Sequence, residues 1–215
     1  MSTALDASTI DLLAVLAYGE LSAFERVASD ARLAPSLRDK ATLAGIASAN
    51  YAHFVSLRDH LAAHDVDPEQ AMTPFVEALD RFHDSTQPND WYEGLVKVYV
   101  GDGLAKDFYR EVSSALPDAA TRELILEVLA DTAHARYAVA RVTAAIAEQP
   151  RLGGRLALWG RRLVGEALIQ AQRVAVDRDA LTELLVEQDL AGVLGLLNRL
   201  TDGHTERMAA LGLES

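Results

Sequence analysis

The chain of 215 residues contains no cysteine. That removes disulfides, thiolate metal ligands and cysteine nucleophiles and fits a reducing compartment. Proline and glycine are few, 6 and 13 residues, while Ala and Leu abound, so helix is favoured over sheet. No segment alternates apolar and polar residues as a half-buried strand does. No apolar run approaches the ~20 residues of a membrane span. The opening stretch MSTALDASTIDLLAV lacks the positive flank of a signal peptide. There is no Gly-rich phosphate loop after a strand, no G-x-S-x-G and no H-E-x-x-H. Basic residues are also scarce: 20 Lys and Arg face 32 Asp and Glu, a net charge of −12. Such a balance disfavours nucleic acid and anionic membranes. A cytoplasmic protein with no membrane partner is expected.

Half of the residues are hydrophobic, enough for a sizeable core in one domain spanning 1–215. Helical periodicity accounts for nearly all of it. A first long helix is expected in DASTIDLLAVLAYGELSAFERVASDARLAP, with Ser8 and Asp11 as a capping box. A second restarts at Ser36, with Asp39 three residues on. Asp67-Pro68 opens a shorter helix, with Pro at its first position. A third long helix runs through WYEGLVKVYVGDGLAKDFYREVSSAL, where Gly101 and Gly103 imply close packing or a kink. A fourth, PDAATRELILEVLADTAHARYAVARVTAAIAEQ, is expected to be continuous. Two further helices follow, with a short helical piece, DALTELLVEQ, between them. The architecture implied is all-α: an antiparallel four-helix bundle over about 8–148 with additional C-terminal helices over about 150–211.

Each long bundle helix carries polar residues on its apolar stripe. Glu20 sits among Leu13, Leu16, Phe24 and Val27; Asn50 and His53 sit among Ile46, Leu57 and Leu61. Asp102 lies between Val98 and Ala105, and Asp131, with His134 beside it, lies between Val128 and Ala135. An isolated buried charge is costly unless paired or ligated, so four such groups at matching depth are expected to meet. A divalent metal would satisfy several carboxylates at once, and residues at i and i+3 can reach one ion. From Glu20 to His53 is 33 residues and from Asp102 to His134 is 32, as in two similar hairpins. The competing reading is a buried polar network without metal.

The stretches LLAVLAYGELSAFERVASDARLAPSL, VKVYVGDGLAKDFYREV, VLADTAHARYAVARV and LALWGRRLVGEALIQAQRV resemble the ferritin-like proteins. More narrowly, they resemble an actinobacterial branch similar to the tRNA 2-methylthio-N6-isopentenyladenosine hydroxylases. That resemblance implies two non-haem irons, O₂-dependent hydroxylation of a tRNA base, and a reductase that donates electrons. It would make Glu20 and Asp102 lone carboxylate ligands, Asp131 a bridging carboxylate, and His53 and His134 imidazole ligands. Asn50 departs from the pattern, which has Glu there. A neutral amide binds iron poorly, so one metal, or none, becomes an alternative to two.

Outside these five residues, Glu166 and His204 are further candidates on the C-terminal helices, as ligands or as partners of each other. Asp107 and Glu111 are expected to be solvated or paired with Lys106 and Arg110. The basic stretch RLGGRLALWGRR, with Arg151, Arg155, Arg161 and Arg162, reads as the outer face of an amphipathic helix whose arginines pair with acids. Its other reading, a phosphate-backbone grip, lacks aromatic interleaving. Two functions are carried forward. One is an iron-dependent hydroxylase. The other is a non-catalytic ferritin-like protein with a degenerate site, serving binding or oligomerisation. Iron storage ranks below both. A homodimer is expected, and tRNA as partner rests on the resemblance alone, against the charge.

Overall fold

The computed structural model describes residues 4–130, 133–178 and 190–215. These hold eight α-helices and no strand. α1 spans Ala7–Asp30, with a 3-10 turn at Ala31–Leu33, and α2 spans Leu37–Ala63. α3 is Pro68–Ser85, α4 Trp91–Ser113, α5 Ala119–Leu129 and α6 Ala133–Glu148. α7 is Arg151–Asp177, and α8, the last, is Leu190–Ala210. The expected piece DALTELLVEQ lies outside the described residues.

Side-chain caps start most of these helices, each contributing about 1 kcal/mol. The Ser36 hydroxyl accepts from the Asp39 amide at 3.1 Å, as the sequence implies. Asp67 accepts from the amide of Glu69 at 3.0 Å, with Pro68 in the first turn. Asp90 accepts from the amides of Tyr92 and Glu93 at 3.0 Å. The start of α1 differs from expectation. Asp6, not Ser8, is the cap, accepting from the Thr9 amide at 2.7 Å. Asp11 instead binds Arg178, whose Nε lies 2.9 Å from its Oδ2.

The fourth bundle helix is two helices. α5 ends at a cap on Ala130, and α6 resumes by Ala133. The expected ligand Asp131 lies outside the described residues.

Two large hydrophobic clusters, with a small third one of Leu104, Leu196 and Leu200, form the core of the described residues. The first joins Leu12, Leu13 and Leu16 of α1 to Leu57 and Leu61 of α2, Phe75 of α3, Val112 of α4 and Ile125 and Leu129 of α5. The second joins Val27 to Leu43, to Trp91, Leu95, Val96 and Val100 of α4, to Val142 of α6, and to Leu156, Trp159 and Leu163 of α7. The start of α1 thus packs on the end of α2, and the start of α4 on the end of α6. Both hairpins are antiparallel, as short connections require. α7 and α8 lie against α4. The segment Ala7–Leu33 proves long and apolar enough to cross a membrane. Its Leu12, Leu13, Ala14 and Ala17 are fully buried against the other helices, as a core helix requires.

Candidate functional site

Between the two clusters the bundle is polar. Glu20 follows Leu16 and precedes Val27 on α1; His53 separates Ala47 from Leu57 on α2; Asp102 separates Val100 from Tyr109 on α4; His134 separates Leu129 from Ala138. Each of these four side chains therefore leaves its helix at the joint of two apolar packs. Glu20 and His134 are buried, at 7% exposure each.

Each hairpin pairs its own acid with its own imidazole. Glu20 Oε2 lies 3.3 Å from His53 Nδ1. Asp102 Oδ2 lies 2.6 Å from His134 Nε2. The near-equal spacings in sequence thus correspond to two matching acid–imidazole contacts. Burial pushes the Glu20 carboxyl above its ordinary value; the hydrogen bond to His53 opposes the rise and the nearby Asp102 carboxylate adds to it. Asp102 goes the other way. Burial would raise it, but His134 and the Lys106 ammonium beside it outweigh that and hold it below the usual carboxylate range.

Lys106 is the residue that the sequence reading placed elsewhere. It does not turn outward to Asp107 or Glu111. Its Nζ lies 3.1 Å from Asp102 Oδ2, with only 12% of the side chain exposed. Asp107 is taken by Arg110 and, at 2.6 Å, by Arg207 of α8; Glu111 pairs with Arg199 at 2.8 Å. The signal was present, because Asp102 and Lys106 stand at i and i+4 on one helix face. Tyr109 completes the surroundings: it is buried, and its hydroxyl is pushed upward by burial and by the Glu20 charge.

A family model described as a ferritin-like domain of actinomycetes matches residues 3–188. The chain belongs to that ferritin-like family. No curated protein matches it. In this ferritin-like bundle, Glu20, His53, Asp102 and His134 occupy the joint between the core clusters, while Asp131 falls outside the described residues. Asn50 is half-buried one turn before His53. His204 is buried on α8, where burial and the Arg207 and Arg161 charges keep its pKa below the usual histidine value. Glu166 is half-buried on α7, and no ion pair joins it to His204 among the described residues. Nor do the described residues hold a group of three or more His, Asp or Glu set to bind a metal.

The arrangement can do two things chemically. It can balance charge internally, with the Lys106 ammonium against the carboxylates. It also presents oxygen and nitrogen donors from four helices toward one level of the bundle.

Proposed function

We propose that this ferritin-like protein acts as a binding module whose bundle centre is a charge-balanced polar network rather than a di-iron centre. The observation that carries the reading is Lys106. Its ammonium sits 3.1 Å from the carboxylate that would otherwise face a metal. A fixed cation there repels a second one and offsets the Asp102 charge. Asn50 points the same way, since an amide supplies neither the charge nor the bridging oxygens of a carboxylate. The donor set is thus short of the four carboxylates and two imidazoles that two irons take in such bundles. We place the protein in the cytoplasm as a homodimer.

One observation favours the hydroxylase reading. Each hairpin keeps an acid–imidazole contact, Glu20 with His53 and Asp102 with His134. Under that reading these four, with Asp131, hold iron, a reductase supplies electrons, and an isopentenyl-type side chain on tRNA is the substrate class.

Iron analysis of protein purified from iron-replete medium, beside an Asn50→Glu variant, separates the two. The network reading expects folded wild type with far less than one iron per chain. About two irons per chain with oxo-bridge absorption would overturn it.

A further inference from the structure

We infer that the solvent face of α7 is a docking surface for an acidic amphipathic helix of a partner protein. This deepens the binding-module reading and rests on it for its biological role.

On a chain of net charge −12, this face carries the opposite sign. Arg151, Arg161, Arg162 and Arg173 are all exposed, and the one exposed acid of α7 is Asp177, its last residue. Of the arginines in RLGGRLALWGRR, only Arg155 meets carboxylates among the described residues, those of Asp90 and Glu93. Arg161 donates to the Glu214 carbonyl, Arg162 to the Ser85 carbonyl and Arg173 to the Gln170 amide oxygen. None of these four arginines forms an ion pair with an acid among the described residues.

Apolar side chains lie between these arginines. Leu158 is 64% exposed and Val176 80%, with Leu168 and Ile169 also exposed. Leu158, Ile169 and Val176 are spaced at 11 and 7 residues, so they share one stripe of the helix. Gly154 and Gly165 fall on that same stripe, and nothing lies within 4 Å of where a Cβ would stand at either. The stripe runs about 35 Å along the helix.

Charge and shape choose the occupant. A second copy paired through its own α7 would set arginine against arginine. Single-stranded RNA would want exposed aromatics for stacking, and the helix's Trp159 is buried with its Nε1 on the Glu93 carbonyl at 2.9 Å. A flat lipid surface gains nothing from the two glycine openings, whereas a helix can lower knobs into them. What fits is a helix with leucine-like residues on one side and Asp or Glu at its flanks.

The test is fluorescence anisotropy with a labelled synthetic helix of about 20 residues, Leu at heptad a and d and Glu at e and g. A peptide with Lys in place of Glu, and phosphatidylcholine vesicles containing phosphatidylglycerol, are run beside it. The expected result is saturable binding of the Glu peptide only. It should weaken about tenfold or more in Arg161→Glu/Arg173→Glu and in Leu158→Ser/Ile169→Ser, and in high salt. Ser substitution at exposed sites leaves the fold intact, so the second variant reads the surface alone. The proposal is overturned if the Glu peptide does not bind, if it binds both variants as well as wild type, or if only the vesicles bind. No metal enters this assay, so its failure is distinct from failure of the network reading.

Discussion

Lys106 Nζ and Asp102 Oδ2 lie 3.1 Å apart on α4, one helical turn apart in sequence, at the joint between the two core clusters. His134 reaches the same carboxylate oxygen from α6 at 2.6 Å. One carboxylate thus takes two nitrogen partners, a lysine ammonium and an imidazole.

If that ammonium balances the buried acids, removing it leaves them uncompensated. Lys106→Met should destabilise the protein by about 2 kcal/mol, below the usual cost of breaking a fully buried pair because Asp102 is partly exposed. Urea denaturation at pH 7 measures it. Unchanged or increased stability would show that Lys106 does not serve this role.

Gly103 makes the contact between α4 and α8 possible. A Cβ there would stand 2.5 Å from Cδ and 2.8 Å from Nε of Arg207. Gly103→Ala should push Arg207 off Asp107 and cost about 1–2 kcal/mol. In an Arg207→Ala background the same change should cost almost nothing, because the obstacle is gone. Equal costs in both backgrounds would place the effect in α4 itself.

His83, in the last turn of α3, has a buried Nδ1 without a hydrogen-bond partner. Burial and the neighbouring Lys97 and Arg26 charges push its pKa down to about 3. Between that value and the unfolded value near 6.5, the unfolded chain binds a proton that the folded chain refuses. Stability from this site is therefore constant above about pH 6.5 and falls as pH drops toward 3. From pH 7 to pH 4 the loss is about 3 kcal/mol. His83→Leu should remove that slope, so its stability advantage over wild type grows on acidification. Denaturation of both proteins at the two pH values checks it; an advantage that does not change with pH would refute the assignment.

Much of the site was legible before any coordinates. Glu20, His53, Asp102 and His134 stood out because charge on an apolar stripe is rare and expensive, and the structure brings them together as two acid–imidazole pairs. The sequence reading gives Lys106 to the outer acids Asp107 and Glu111, because a lysine is read by default as a solvent-facing residue. Its long stem lets the ammonium reach inward while the backbone stays at the edge of the stripe. No Pro or Gly stands at the end of α5 at Leu129, so the sequence reads as a continuous helix there. The cap of α1 was misplaced because three polar residues compete there. Asp11 was diverted by Arg178, a partner 167 residues away that no local pattern predicts.

The most direct test of the central claim is a thermal melt of wild type and an Asn50→Glu/Lys106→Met double variant, with and without anaerobic Fe(II). A metal that binds only the folded state raises the melting temperature in proportion to its affinity. The account predicts no shift for wild type and a clear upward shift for the variant, in which the ammonium is gone and the carboxylate restored. A strong Fe(II)-dependent shift in wild type would contradict it, because Lys106 would then not hold the place of a metal cation.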